Sequence, residues 1–161
     1  MTMETVDLAY RIKTADTQEI LEHLKKCDHS FQPILTKRVN IEEYARKIFD
    51  RATTFEAWHA RILVGLLAAY FSNNPERSAF ITNVSVLEDF MGKGIASRLL
   101  NECKEYALQE NFGEIRLEVH KVNVRAIGLY RKLSFVPYEI REDFLIMRLA
   151  LIDNQKSFDN P

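Results

Sequence analysis

The spacing of apolar residues predicts two helices in the first third of the chain. Apolar side chains recur every three or four positions after Asp16 and again after Asn40, which is the pattern of a helix with one buried face. Each of these two residues is a favoured N-cap and is followed three positions later by a glutamate, as in a capping box. The first helix is predicted to end at about Lys26, and the second carries the apolar stripe Ile41, Tyr44, Ala45, Ile48 and Phe49.

Runs rich in Val, Ile, Phe and Thr predict seven strands. Residues 53–59 and 62–71 form a predicted β-hairpin that turns near Ala60 and Arg61, and the polar stretch 72–77 is a predicted loop. Residues 27–39 are expected to be irregular because Pro33 discourages a helix. The remaining predicted strands are residues 8–13, 79–87, 114–120, 135–139 and 144–150.

A loop with two glycines joins the strand 79–87 to a third helix. The first turn of a helix has N–H groups without internal partners and a partial positive charge, so it suits an anionic phosphate. Glycine has no Cβ and lets a ligand approach the backbone closely. A plain turn explains Gly94 equally well at this level, so both interpretations stay open. The loop and the first helical turn are formed by Met91, Gly92, Lys93, Gly94, Ile95, Ala96 and Ser97.

The predicted elements follow the order βααβββαβαββ. The third helix is expected to end with Gly113 just beyond its last turn, and a fourth helix is predicted over residues 123–133. Hairpins at both ends and crossover helices in the middle indicate an α/β (α+β) fold with a mixed sheet and helices on both faces. One domain is predicted over residues 1–161, with its core at about 8–150 and a polar tail at 151–161.

Composition narrows the classes of function. The 161 residues are 47% hydrophobic and 28% charged, with a net charge of −1, so neither nucleic-acid binding nor an anionic membrane partner is expected. The first seven residues are polar and acidic, so no signal peptide is expected. Cys27 and Cys103 are isolated and belong to no Cys/His cluster. A cytoplasmic protein with free thiols and no metal site is therefore predicted.

The glycine loop resembles motif A of the GNAT superfamily of N-acetyltransferases. In that motif, Arg/Gln-x-x-Gly-x-Gly/Ala, backbone amides cradle the pyrophosphate of acetyl-CoA. Gly94 and Ala96 match the two small positions. Met91 stands where the family has Arg or Gln. We expect this difference to weaken cofactor binding at worst, and not to abolish it.

A second segment resembles motif B of the same superfamily, which reads Asn-x-x-Ala-x-x-Leu/Phe-Tyr-x-Lys-x-Gly-Phe. Ser134 replaces the usual glycine, so a different C-terminal cap is expected on the fourth helix. The two motifs together cover about residues 78–138, and their combination is more specific than either alone. The matching residues are Asn123, Ala126, Leu129, Tyr130, Lys132 and Phe135.

The resemblance implies a fold whose central parallel strands splay apart to admit the pantetheine arm of acetyl-CoA. It also implies that the backbone of Val84, Ser85 and Val86 binds the pantetheine amides, while the valine side chains are core. Asn123 could both cap the fourth helix and approach the cofactor, and capping alone is the favoured interpretation.

Tyr130 is the candidate general acid by resemblance, because the family's tyrosine at this position often protonates the leaving thiolate. Glu118 lies twelve residues earlier, like a glutamate in ribosomal N-terminal alanine acetyltransferases, and is the candidate general base. An exposed strand carboxylate explains Glu118 equally well. His120 is a rival base with a better-placed intrinsic pKa, although a surface role is favoured for it. Phe55 and Trp58 could line an acceptor pocket, but core packing is favoured.

We conclude at this stage that the sequence indicates an acetyl-CoA-dependent N-acetyltransferase. The acceptor would be a primary amine of a small molecule or of a protein N-terminus, and a homodimer is one option for its assembly. The alternatives are a non-catalytic acyl-CoA-binding module, which needs no Tyr130, and an unrelated phosphate-binding α/β protein.

Overall fold

The computed structural model describes residues 7–31 and 33–151 and contains the predicted order of elements. The tail from residue 152 onward lies outside the described residues. Two short 3-10 turns, Asp28–Ser30 and Leu35–Lys37, fall in the stretch that was expected to be irregular. The strands are β1 (Ala9–Ile12), β2 (Thr53–His59), β3 (Ile62–Phe71), β4 (Ser78–Val86), β5 (Glu114–His120), β6 (Val136–Arg141) and β7 (Phe144–Ala150). The helices are α1 (Thr17–Cys27), α2 (Ile41–Arg51), α3 (Ile95–Gln109) and α4 (Val124–Lys132).

The seven strands form one mixed sheet in the order β1-β2-β3-β4-β5-β7-β6. Every neighbouring pair is antiparallel except β4 and β5, which are parallel. The pairing of β4 with β5 stops at Ile81 and Leu117, although β4 continues to Val86 and β5 to His120. The two central strands therefore part over their C-terminal halves, as the resemblance implied.

Helices cover both faces of the sheet, as predicted. One apolar core packs α1 and α2 against β2 and β3, around Ile20, Leu24, Ile48 and Leu66. The other core packs α3 against the opposite face, and Gly65 of β3 lets it come close. A Cβ at Gly65 would stand 2.7 Å from Cγ2 of Ile95, the first residue of α3. The sheet thus fixes where α3 begins.

The caps of α1 and α2 agree with the sequence prediction. The Asp16 carboxylate accepts from the Glu19 N–H at 2.8 Å, and the Glu19 carboxylate accepts from the Asp16 N–H at 2.9 Å. Asn40 caps α2 by accepting from the Glu43 N–H at 3.1 Å.

The C-terminal ends of α3 and α4 correct two predictions. Asn111, and not Gly113, takes the left-handed conformation after α3, with φ 62°. Ser134 does the same after α4, with φ 75°. In both cases the following residue donates back to a carbonyl five positions earlier, as in a Schellman motif. Ser134 therefore closes α4 with the geometry that glycine usually provides, and the expectation of a different cap was wrong.

A buried carboxylate, Glu56, ties the start of α1 to the sheet. Its side chain on β2 is fully buried and accepts hydrogen bonds from five donors. The shortest two, from the Thr14 and Thr54 hydroxyls, are 2.5 Å long. The other donors are the backbone N–H groups of Thr14 and Ala15 and the Trp58 indole N–H. Glu56 thereby fixes the position of the helix that carries one wall of the cleft described below.

Candidate active site

The gap between β4 and β5 opens into a cleft of about 1020 Å³. Its walls come from the C-terminal halves of both strands, the glycine loop before α3, the start of α4 and the segment after α1. A cleft at the carboxyl ends of parted parallel strands is a common ligand site in α/β proteins. The cleft contains nearly all of the residues predicted from sequence: Val84, Ser85, Val86, Met91, Gly92, Gly94, Ile95, Ala96, Ser97, Glu118, Asn123 and Tyr130.

The glycine loop offers backbone N–H groups to the cleft. Gly92 and Gly94 have φ of 76° and 79°, a conformation that strains other residues, and a Cβ at either position would meet no atom within 4 Å. Gly94 is the N-cap residue of α3, and no side chain caps the helix there. Within the described ranges, the N–H groups of the first turn of α3 therefore have no protein partner. This arrangement suits an anion such as a pyrophosphate.

Met91 and Lys93 of the same loop differ in whether they line the cleft. The Met91 side chain is partly exposed and lines the cleft, so an apolar group stands where a cation would otherwise reach a phosphate. Lys93, which was predicted to contact the cofactor, is not among the lining residues. A contact between Lys93 and the cofactor stays a prediction.

Tyr130 lies on the buried face of α4 and lines the cleft. Its ring packs edge-on against Phe135, with centroids 5.9 Å apart. No hydrogen bond to the Tyr130 hydroxyl is found among the residues that the structure describes. Burial raises the pKa of Tyr130 to about 12. The phenol is therefore held protonated, as a proton donor must be, but it is a weaker acid than a free tyrosine.

Glu118 faces the cleft beside a cation that the sequence analysis missed. Oε1 of Glu118 lies 3.8 Å from Nη2 of Arg38, and both side chains are partly exposed. The Arg38 guanidinium also stacks 4.7 Å from the ring centroid of Phe144 on β7. Arg38 comes from the stretch between α1 and α2, where no periodic pattern indicates which residue faces a site. The role of Glu118 as a base stays a prediction.

The geometry disfavours His120 as a base. Its Nδ1 accepts a hydrogen bond from the Val122 N–H at 3.2 Å. A neutral imidazole with Nδ1 as acceptor has its proton on Nε2, so neither ring nitrogen offers a free lone pair. The ring also packs edge-on against Phe144, with centroids 5.1 Å apart.

Three predictions about supporting residues can be compared with the structure. Asn123 caps α4 by accepting from the Ala126 N–H at 3.3 Å, and it also lines the cleft. Phe55 and Trp58 are both buried in the core and neither lines the cleft. They therefore do not form an acceptor pocket, in line with the interpretation that the sequence favoured.

A buried histidine, His23, is the main polar group that the sequence analysis did not single out. It lies on α1 with 2% of its surface exposed, and its Nε2 is 2.8 Å from Oγ of Ser85, which lines the cleft. A signal was available, because the spacing Ile20, His23, Leu24, Cys27 places His23 on the apolar face of α1.

The burial of His23 predicts a pH-dependent stability. Desolvation lowers the pKa of its imidazole from 6.5 to about 4. The unfolded chain therefore takes up a proton near pH 6.5, while the folded protein does so only near pH 4, so the free energy of unfolding falls as the pH drops through this window. Across this window, the titration of His23 lowers the free energy of unfolding by about 3 kcal/mol.

Urea unfolding of the parent and of His23→Phe at pH 7 and pH 4 measures this contribution. Titration of all other groups is shared by the two proteins, so it cancels in the comparison. The parent's change in stability between the two pH values should exceed that of the variant by about 3 kcal/mol. An equal change in both would show that His23 titrates in the folded protein as it does in the unfolded chain.

A model of a known protein family matches a large part of the chain. Residues 17–135 match the family model described as the Acetyltransferase (GNAT) family. The chain is also 36% identical over 69 residues to an N-alpha-acetyltransferase of Saccharolobus solfataricus, covering 42% of this chain and 41% of the relative. It is 31% identical over 74 residues to a thialysine N-epsilon-acetyltransferase of Bos taurus, covering 45% and 44%. The matched segments thus span less than half the length of these relatives.

Solved structures show the same fold at low sequence identity. The PaiA N-acetyltransferase from Thermoplasma acidophilum, in complex with coenzyme A, superposes with a TM-score of 0.69 at 16% identity, covering 88% of this chain and 99% of that one. The ribosomal-protein-S18-alanine N-acetyltransferase from Escherichia coli gives a TM-score of 0.69 at 20% identity, covering 91% and 98%. The overall fold described above is therefore shared with these acetyltransferase structures.

Proposed function

The chain belongs to the GNAT family of acetyltransferases, since the family model covers residues 17–135, and from this premise we propose that it transfers the acetyl group of acetyl-CoA to a primary amine. The observation that carries the proposal is the parting of β4 from β5 beyond Ile81 and Leu117, directly beside a glycine loop with free amide groups. An elongated ligand with a pyrophosphate at one end and an amide-containing arm at the other fits such a combination. Acetyl-CoA supplies an acetyl thioester when it is bound there.

Different residues of the cleft would bind different parts of acetyl-CoA. The N–H groups of the glycine loop and of the first turn of α3 would hold the pyrophosphate, with the helix dipole adding to the attraction. Beyond Ile81, β4 has no strand partner on its β5 side within the described residues, so its backbone between Val84 and Val86 is free to pair with the pantetheine amides. Asn123 also lines the cleft, at the start of α4.

Tyr130 would supply the proton that the departing thiolate needs. It is a buried phenol without a protein partner for its hydroxyl among the described residues, and it faces the cleft. Glu118 would take a proton from the amine, directly or through water, because the amine must be neutral to attack a carbonyl. Its partner Arg38, 3.8 Å away, would have to let the carboxylate reach the acceptor.

The acceptor is an amine of undetermined structure, and the relatives suggest which compounds to assay. The similar proteins include an N-alpha-acetyltransferase, a thialysine N-epsilon-acetyltransferase and a streptothricin acetyltransferase. A peptide with a free N-terminal alanine, thialysine and streptothricin therefore form a first panel. Turnover is read as free thiol released from acetyl-CoA and as a gain of one acetyl group on the amine by mass spectrometry.

We also propose a cytoplasmic location. Both cysteines, Cys27 and Cys103, are buried and unbonded, which suits a reducing compartment. A separate observation, which does not bear on the location, is that none of the helices in the described residues has the length and apolar content of a membrane span.

The variant Gly94→Glu tests whether the glycine loop binds the cofactor. A glutamate there places a negative charge and a bulky side chain beside the amides that would hold the pyrophosphate. We expect the affinity for acetyl-CoA to fall by roughly tenfold or more, equivalent to about 1.4 kcal/mol. Isothermal titration measures the affinity.

Gly94→Ala is the matched control for this variant. Both substitutions strain the backbone equally at φ 79°, at a cost of about 1–2 kcal/mol in folding stability, but alanine adds neither charge nor bulk. Alanine should therefore retain most of the affinity. If Gly94→Glu binds acetyl-CoA as tightly as Gly94→Ala, the loop is only a turn.

A further inference from the structure

A buried chain of hydrogen bonds runs from the core to the wall of the cleft. Nδ1 of His23 lies 2.8 Å from the Leu63 carbonyl oxygen, and its Nε2 lies 2.8 Å from Oγ of Ser85. Oγ of Ser85 is in turn 2.7 Å from the Asn83 side-chain oxygen Oδ1, as the amide is placed in the structure. All three side chains are buried, and the catalytic scheme above uses none of them. The chain of bonds ends at Ser85, on the part of β4 that has separated from β5.

Proton counting determines the direction of each bond when His23 is neutral. A carbonyl only accepts, so Nδ1 of His23 carries the ring proton and donates it to Leu63. The unprotonated Nε2 must then accept, and Ser85 must donate its single hydroxyl proton to it. Ser85 consequently cannot donate to Asn83 as well. The Asn83 amide must therefore be turned by 180°, so that its NH₂ group takes the place of Oδ1 and donates to the serine oxygen. The assignment of nitrogen and oxygen in an amide follows from such a network.

The second lone pair of the Ser85 hydroxyl oxygen indicates what this residue can bind. A hydroxyl oxygen has two lone pairs, and the Asn83 amide occupies one of them. Among the described residues the Ser85 hydroxyl has no other hydrogen-bond partner than His23 and Asn83, and the nearby Cys27 thiol lies 3.7 Å from Nε2 of His23. The other lone pair is therefore available to a group in the cleft, and Ser85 can only accept there because its proton is committed to His23. A pure acceptor beside the acetyl-transfer gap matches the N–H of an attacking amine.

We propose that Ser85 orients the acceptor amine by accepting one of its N–H groups, and that His23 is the positioning residue that commits the serine proton away from the cleft. This inference rests on the proposed acetyl transfer. Ser85 lies on β4 four residues beyond Ile81, the last residue of that strand paired with β5. It is a different residue from the groups assigned above to proton transfer, so it adds a separate contact to the nitrogen.

A purely structural role predicts other behaviour. In that case the network would only satisfy the Leu63 carbonyl and the buried amide, and loss of the Ser85 hydroxyl would affect folding or all ligands alike. In our proposal the hydroxyl matters only for a ligand that has an N–H at the position of the attacking nitrogen. The two accounts therefore differ in ligand selectivity.

The test uses two probes that require no knowledge of the natural acceptor. One is CoA, and the other is a CoA thioether whose sulfur carries a CH₂–CO–NH–CH₃ group, which places an amide N–H where the acceptor nitrogen would lie. Isothermal titration of Ser85→Ala should show roughly tenfold weaker binding of the thioether amide, as expected for one lost hydrogen bond, and unchanged binding of CoA within about twofold. Ser85→Thr retains the hydroxyl and should bind both probes like the parent.

His23→Phe keeps the ring volume but removes the acceptor for the serine proton. This variant should weaken binding of the thioether amide by roughly threefold to tenfold and leave binding of CoA unchanged. In the Ser85→Ala background, His23→Phe should cause no further loss of affinity for the thioether amide. Nitrogen-15 spectra of the parent give an independent reading that needs no variant. They should show His23 protonated on Nδ1 and unprotonated on Nε2 at pH 7.

Several results would overturn the inference. Equal losses for both probes in Ser85→Ala, no loss for the thioether amide, or the opposite His23 tautomer would each remove the orienting role while leaving acetyl-CoA binding intact. Failure of the parent to bind CoA at all would instead remove the proposed function, and this inference would fall with it.

Discussion

Replacement of Tyr130 by phenylalanine is expected to lower kcat by roughly a hundredfold or more, the usual worth of a positioned general acid. The substitution removes the hydroxyl that faces the cleft and almost no volume. The hydroxyl has no hydrogen-bond partner among the described residues, so stability should hardly change. Proton donation to the leaving thiolate matters mainly in the transition state, so kcat and kcat/KM should fall together while acetyl-CoA binding stays within a few fold.

The pH dependence of the parent enzyme's rate also tests the role of Tyr130. Burial raises the pKa of Tyr130 to about 12, so the phenol stays protonated throughout the range in which the enzyme can be assayed. No loss of rate from ionisation of Tyr130 is expected below about pH 10. Any rise in rate with pH should reflect deprotonation of the amine or of its base.

The matched control for Tyr130→Phe is Tyr138→Phe. Tyr138 is exposed on the edge strand β6, where the Arg116 guanidinium stacks on its ring, and it does not line the cleft. Its variant should keep parental kinetics. A Tyr130→Phe protein with parental kcat would remove Tyr130 from the mechanism and favour another proton donor. A parent that binds acetyl-CoA but turns over no amine would favour the non-catalytic binding module.

Loss of the Glu56 carboxylate should produce the largest fall in stability. Glu56→Ala removes the acceptor of five donors, and three of them are buried: the Ala15 N–H, the Thr54 hydroxyl and the Trp58 indole N–H. The two donors of Thr14 are only partly buried and can turn to water. An unpaired buried donor costs about 1–3 kcal/mol, and partial solvation of the vacated space reduces the sum, so we expect a loss of about 3–5 kcal/mol. Chemical denaturation at pH 7 measures it.

Two further variants show which property of Glu56 matters. Glu56→Gln has the same shape but directs an NH₂ group at donors, so it should recover only part of the stability. Glu139→Ala removes an exposed strand glutamate that pairs with Arg141 at 3.2 Å, and it should change stability by less than about 0.5 kcal/mol. Equal effects of Glu56→Ala and Glu139→Ala would mean that the buried network contributes nothing.

The order of elements could be read from the sequence because it depends on local periodicity. The stripe of apolar residues in α2 and the hairpin turn at Ala60 and Arg61 require only near neighbours to be recognised. The caps show where such reasoning stops. Asn111 and Gly113 are both acceptable at a helix end, and the tertiary contacts selected Asn111 for the left-handed position.

The candidate site was predictable only in part, because its polar groups converge from distant segments. The glycine loop was recognised as a possible phosphate site from its position between a strand and a helix. Its assignment to acetyl-CoA, and the choice of Tyr130, came from the resemblance to two family motifs. Glu56 resembles an ordinary charged strand residue in the sequence, since its burial depends on which elements cover it. His23 did have a local signal, its place on the apolar face of α1, but that signal does not indicate its partner Ser85. Arg38 comes from an irregular segment, where side-chain direction follows no period. The parting of β4 and β5 has no local signal in the sequence.

Titration of the parent protein with acetyl-CoA tests the central claim most directly, because it requires no knowledge of the acceptor. One binding site per chain is expected, with an affinity that weakens at high salt and a melting temperature that rises with acetyl-CoA concentration. Absence of both binding heat and a thermal shift at millimolar acetyl-CoA would contradict the assignment of the cleft as an acetyl-CoA site.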